Sequence, residues 1–115
     1  MNFKDYQIIT RETAVYPDSQ TGNVLAILYT ALGVADEAGE VAGKVKKWLR
    51  DEDHEAGMND ERREAISGEI SDVLWYLARL ADELNLDLQV IAEYNVTKLR
   101  DRKERGVIQG NGDNR

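Results

Sequence analysis

Apolar residues along this chain recur at steps of three and four, with almost no alternating β-branched stretch, and that period predicts helices rather than strands. Four helices and a tail account for the pattern. The first runs from about Phe3 to Val15 and stops ahead of Tyr16-Pro17, because the residue before a proline disfavours the α region. The second starts after Gly22-Asn23, with Asn23 as its cap, and continues to about Arg50. At about 1.5 Å per residue it spans roughly 40 Å, long for a domain of this size. The polar stretch Asp51 to Met58 separates it from a third helix, capped by Asn59 or Asp60 and running to about Leu84. Asn85-Leu86-Asp87 makes the next turn, and Asp87 caps a fourth helix to about Arg105. Long helices with short connections predict an all-α, four-helix bundle-like domain over residues 1–105, followed by a glycine-rich tail, 106–115. Gly39 and Gly43, each about 1 kcal/mol worse than alanine inside a helix, predict close approach of another helix, from this chain or a second one.

Composition narrows the chemistry. The chain has 115 residues, no cysteine and a single histidine, His54, so disulfides, thiolate zinc sites and any site needing two imidazoles are excluded. His54 lies in the run Asp-Glu-Asp-His-Glu and reads as a solvated loop residue. With 22 acidic against 15 basic side chains, the formal net charge is −7. That balance argues against a nucleic-acid polymer as partner, because phosphate backbones are held mainly by clustered Lys and Arg. A small phosphorylated ligand stays open where cations gather locally or a metal bridges the charge. The longest nearly apolar run, Val24 to Ala35, is twelve residues and too short to span a membrane, so the protein is expected to be soluble and cytoplasmic.

Catalysis in such a chain must rest on carboxylates, lysines, hydroxyls or an oxygen-held metal. Carboxylates at i and i+3 share one helical face. Five such pairs occur, where about four are expected by chance at this acid content, so spacing alone decides nothing. Context separates them. Glu52/Glu55 and Glu61/Glu64 lie among polar residues, and Asp101/Glu104 alternates with Arg102, Lys103 and Arg105 as on an exposed helix. Glu37/Glu40 is instead surrounded by Val34, Val41 and Val45, and Glu69/Asp72 by Ile66, Ile70, Val73 and Leu74. Four carboxylates beside a core face repel one another and lose hydration unless a cation neutralises them. Hard oxygen ligands favour Mg²⁺, Mn²⁺ or Ca²⁺, and Mg²⁺ keeps room for water and phosphate oxygens. Lys44, Lys47 and Trp48 follow Glu40, Tyr76 follows Asp72 by one turn, and the apolar line Leu88, Ile91 continues as Asn95, Lys98 and Arg102. Polar groups taking over an apolar stripe point to a ligand there, although Lys44 and Lys47 pairing with acids, and Trp48 and Tyr76 packing as anchors, are equally ordinary uses of these residues.

The two pairs, with 28 residues between Glu40 and Glu69, resemble the metal motif of the MazG-like nucleoside triphosphate pyrophosphohydrolases. The resemblance extends over Gly33-Val-Ala-Asp-Glu-Ala-Gly-Glu-Val, Lys46-Lys47-Trp-Leu-Arg-Asp, Glu69-Ile-Ser-Asp-Val-Leu-Trp-Tyr-Leu, Asn95-Val-Thr-Lys-Leu-Arg-Asp-Arg and the tail Gly106-Val-Ile-Gln-Gly-Asn-Gly-Asp-Asn-Arg. It implies an all-α fold, assembly as homodimers or as dimers of dimers, and Mg²⁺-dependent hydrolysis of nucleoside triphosphates to monophosphate and pyrophosphate, with Mn²⁺ as a substitute. It further implies Glu37, Glu40, Glu69 and Asp72 as metal ligands, and Lys44, Lys47, Lys98 and Arg102 as phosphate contacts. Asn95 and Tyr76 would lie near the sugar or base. Asp36 departs from the pattern, since close relatives often carry glycine before the first glutamate.

The reaction expected from this set is in-line attack of water on the α-phosphorus, with Glu37 or Glu40 as the base. Related helical enzymes that hydrolyse dUTP or phosphoribosyl-ATP, and a non-catalytic helical dimerisation module, are the alternatives. A ferritin-like di-iron site is disfavoured because it wants two Glu-x-x-His pairs. The tail reads either as a disordered end or as a loop whose N–H groups and Arg115 close over a phosphate.

Overall fold

Asparagine or aspartate side chains start every α-helix of the computed structural model, which describes residues 1–115. Helix α1 (Phe3–Ile9) is capped by Asn2, α2 (Val24–Asp51) by Asn23, α3 (Asp60–Glu83) by Asn59 and α4 (Leu88–Glu104) by Asp87. Each cap oxygen accepts from a backbone N–H two or three residues on, at 2.8 Å for Asp5, 3.1 Å for Ala26, 2.8 Å for Arg62 and 2.8 Å for Gln89. The all-α expectation and the three later helices are as the pattern predicts, to within a residue or two.

The first helix is shorter than predicted. It ends at Ile9 and tightens into a 3₁₀ turn, Thr10–Thr13. There the Thr10 hydroxyl donates to the Gln7 carbonyl at 2.8 Å and Thr13 to the Thr10 carbonyl at 3.2 Å, which gives the backbone an alternative to the α ladder.

Helices α2 and α3 form an antiparallel hairpin, joined through a short 3₁₀ turn at His54–Ala56 and clamped at that end by an ion pair between Arg62 and Glu52. His54 is exposed, as expected, and its ring meets that of Trp48 edge-on at 6.0 Å. Trp48 is half-buried, and its Nε1 is covered without a partner in this chain. The segment α1 and its 3₁₀ turn lies across the far end of α3, and α4 packs chiefly on α1 and α3. The tail folds back on α4: Arg102 donates to the Asp113 carbonyl at 2.6 Å, and Arg115 donates to the carbonyls of Gly112, Ile108 and Val107. No helix is long and apolar enough to cross a membrane.

The buried centre lies between α3, the N-terminal segment and the start of α2. Arg79, fully buried, pairs with Asp82 at 2.9 Å and lies 3.7 Å from Glu83. Glu83 in turn accepts from the Tyr16 hydroxyl and from the backbone N–H groups of Gln20 (2.6 Å) and Gly22 (2.8 Å). These contacts hold the 18–22 loop, where Asp18, Gln20 and Gly22 all have positive φ. A Cβ on Gly22 would stand 3.0 Å from the Glu83 carbonyl oxygen, so the loop needs glycine there for space as well as conformation. Burial pushes Glu83 up, but its hydrogen bonds from Tyr16, Gln20 and Gly22 together with Arg79 outweigh it and hold the carboxyl below its usual range. Burial and the bond to Glu83 push the Tyr16 phenol up to about 12.

A helix was expected to approach Gly39 and Gly43, and none in this chain does: a Cβ on either would meet nothing within 4 Å. The close approach falls at Gly33, where a Cβ would lie 2.2 Å from the Tyr76 ring.

Glu83→Gln leaves the fully buried Arg79 without its second acid and should lower unfolding free energy by about 3 kcal/mol or more. Because the Glu83 carboxyl is depressed in the folded chain, its contribution is present above the ordinary carboxylate range and lost as pH falls through its folded value. Urea unfolding of the wild type and the variant at neutral and acidic pH checks both, the gap between them closing in acid.

Candidate metal centre

Halfway along the hairpin, the packing of α2 on α3 brings carboxylates of both helices to one point. Glu37 from α2 and Glu69 and Asp72 from α3 each offer an oxygen, and these oxygens lie within 4.8 Å of one another. Glu37 and Glu69 are half-buried and Asp72 is exposed. The i, i+3 spacing puts Glu69 and Asp72 on one face of α3, and Glu37 enters from the facing helix. Lost hydration, and then repulsion from Asp72, Asp36, Glu69 and Glu40, raise the Glu37 carboxyl above its ordinary value. Lys44, two turns along α2, reaches Glu69 with its Nζ 3.1 Å from Oε1 and supplies the one ion pair made by the group. Three oxygen donors of this kind, open on the Asp72 side, fit a hard divalent cation that keeps part of its shell for water or phosphate.

Not every residue singled out from the sequence joins this group. Glu40 is exposed and stands outside it, although its charge is felt at Glu37. Lys47 is exposed. Tyr76 lies against Gly33 and beside Tyr29, with the ring centroids 6.5 Å apart, and is T-shaped to Trp75 at 5.0 Å. Its phenol is raised by burial and then by Tyr29, Glu37 and Asp36. The α4 residues make no ion pair with the carboxylates: Asn95 is exposed, Lys98 lies 5.5 Å over the Tyr94 ring, and Arg102 is buried under the tail.

Comparison with known proteins bears on this arrangement. Residues 27–107 match the model of the MazG nucleotide pyrophosphohydrolase domain. The chain belongs to the MazG family. The matched stretch contains Glu37, Glu69 and Asp72 together with Lys44, Tyr76, Asn95, Lys98 and Arg102. This MazG chain is also 43% identical over 116 residues to the Gene 37 protein of Mycobacterium phage L5, with the whole of both chains covered. No solved structure gives a significant match.

Sequence reasoning passed over two features of this MazG domain. Gly33 and Tyr29 were not singled out, although Gly33 lies four residues before Glu37 and Tyr76 four after Asp72, a symmetry that places both one turn from the carboxylates on facing helices. Arg79, the fully buried charge, was not singled out either; its only signal is an arginine in the apolar stretch Leu74 to Ala81.

A divalent cation bound by this group removes its internal repulsion in the folded state alone. Mg²⁺ or Mn²⁺ at a hundred times its Kd should therefore add about 2.7 kcal/mol of stability at neutral pH. Asp72→Asn should abolish that gain, and Glu37→Gln should stabilise the metal-free protein while weakening the response. Thermal unfolding with and without metal reads all three.

Proposed function

We propose that this protein hydrolyses nucleoside triphosphates to nucleoside monophosphate and pyrophosphate with Mg²⁺, Mn²⁺ serving as a substitute, and so acts in cleansing the nucleotide pool. The observation that carries the reading is the convergence of Glu37, Glu69 and Asp72 from two helices of a MazG domain. Those three would hold the cation, which would supply charge neutralisation at the phosphate oxygens, with Glu40 beside them one turn further along α2. Water attacks the α-phosphorus in line: its oxygen forms the new bond, the bond to the bridging oxygen breaks, and pyrophosphate leaves. Glu37 or Glu40 takes the proton of that water.

Lys44 and Lys47 extend from the carboxylates along α2 and serve the β- and γ-phosphates. Lys98 adds a phosphate contact from α4, Asn95 and Tyr76 lie at the sugar and base, and Arg102, buried under the tail, holds the Asp113 carbonyl.

The active form is a homodimer or homotetramer. The radius of gyration is 17.2 Å, against about 13 Å for a compact domain of this length. On α2 alone, Val24 and Leu28, one turn apart on one face, are 74% and 55% exposed. A stripe of that kind on a soluble chain marks an interaction face. In this reading the α4 residues Asn95 and Lys98, which make no ion pair with the carboxylates within one chain, complete the site of a neighbouring copy.

Incubation with the eight common ribo- and deoxyribonucleoside triphosphates should release monophosphate and pyrophosphate with Mg²⁺ and nothing with chelator. Asp72→Ala should cut turnover by about a hundredfold or more with helicity intact by circular dichroism. Release of diphosphate and orthophosphate instead would place the cleavage at the wrong bond.

The assembly has its own check. Sedimentation equilibrium should return two or four times the 13.0 kDa chain mass. Mixing inactive Asp72→Ala with inactive Lys98→Ala chains should restore part of the activity, because hybrid oligomers contain one intact site. A 13.0 kDa monomer with full activity contradicts the shared site.

A further inference from the structure

One helical turn before the metal centre on α2, and one turn after it on α3, the hairpin forms a cleft of about 280 Å³ lined by Tyr29, Leu32, Gly33, Asp36 and Tyr76. Tyr29, Leu32, Gly33 and Asp36 follow the three- and four-residue steps of one α2 face, and Tyr76 forms the wall against the Gly33 backbone. Two aromatic rings and a leucine make an apolar, stackable surface. The one charged group in the lining is Asp36, and it forms no ion pair with any cation of the chain. It is also outside the carboxylate group that would hold the metal.

We infer that this cleft receives the nucleobase of the substrate and that Asp36 selects guanine. The inference rests on the nucleotide hydrolase reading and adds to it the identity of the base. Along α2 the chemistry runs in one direction, from the aromatic cleft at Tyr29–Asp36, through Glu37, to Lys44 and Lys47. A nucleoside triphosphate laid along it places base, α-phosphate and terminal phosphates in that same order. The reverse orientation sets phosphate against the Asp36 carboxylate, which repels it. Bases outside a duplex are held by aromatic stacking and read through hydrogen bonds to their Watson–Crick edge. An ionised carboxylate only accepts hydrogen bonds. Guanine alone among the common bases offers two adjacent donors on that edge, N1–H and the N2 amino group, and so meets both oxygens of a carboxylate. Adenine and cytosine each set a ring-nitrogen acceptor beside their amino donor, and thymine and uracil flank one N–H with two carbonyls, so each turns a lone pair toward Asp36. Charge-assisted, bidentate contacts are the strong ones.

The test compares kcat/KM for dGTP, dATP, dCTP and dTTP in wild type and Asp36→Asn. Alongside it, equilibrium dialysis of GMP and AMP reads base preference without catalysis. The wild type should favour dGTP over dATP by about tenfold or more, the discrimination typical of one bidentate base contact. Asp36→Asn should collapse that ratio or invert it, since an asparagine amide matches the adenine edge instead. Turnover of all four nucleotides with no guanine preference, or a preference that survives Asp36→Asn, overturns the inference and leaves the hydrolase reading standing. No turnover, with GMP bound more tightly than AMP only in the wild type, upholds the base site and overturns the hydrolase reading. Neither turnover nor a GMP preference overturns both.

Discussion

Packing α2 against α3 forces three like charges together. Glu37, Glu69 and Asp72 reach within 4.8 Å of one another on a chain whose net charge is already −7. Carboxylates at such range disfavour one another's ionised forms, and lost hydration first, then this repulsion, raise the Glu37 carboxyl. A fold that needed only the hairpin would do better with any neutral pair at these positions. The arrangement makes sense where a cation turns the repulsion into attraction, and Lys44 beside Glu69 offsets part of it meanwhile. The site is thus a place where local stability is given up, and the rest of the domain has to hold the two helices in register against it.

That register is set at the far end of the hairpin. Glu83 on α3 gathers the Tyr16 hydroxyl and the N–H groups of Gln20 and Gly22, so it fixes the segment leading into α2 relative to α3. Arg79 neutralises Glu83 and Asp82 from beneath, and Arg11 binds Asp82 from the surface at 2.7 Å. Between this clamp and the carboxylates stand Tyr16, Tyr29, Tyr76 and Trp75. Tyr16 stacks on Tyr29 at 5.4 Å, and Trp75 meets both Tyr16 and Tyr76 edge-on. Contact between the aromatic group and the Gly33 backbone brings the helices close enough there for Glu37 to face Asp72 one turn later. Polar clamp, aromatic group and carboxylates therefore form one series along the hairpin, each depending on the one before.

Only 11 of the 115 residues are buried, and many large apolar side chains stay exposed on the single chain. The polar clamp is correspondingly important, because a small aliphatic core cannot order the N-terminal segment by itself. Large apolar side chains such as Val24, Leu28 and Tyr94 stay exposed on the single chain.

Helix positions were legible in the sequence because the signals that set them are local. Asn23, Asn59 and Asp87 cap backbone N–H groups two or three residues away, and the apolar period between caps needs no partner to be read. The residue types of the carboxylate group were legible too, since acids within apolar stretches are conspicuous. Which of them meet was decided by tertiary structure. Glu37 and Glu40 have the same spacing as Glu69 and Asp72, yet the rotation of α2 against α3 turns Glu37 into the group and leaves Glu40 outside it. The same rotation puts the close helix contact at Gly33 and leaves Gly39 and Gly43 open. Spacing along one helix fixes which residues share a face, but the angle and depth at which two faces meet come from packing, here from the Tyr76 ring seated on Gly33 and from Glu83 holding the loop before α2.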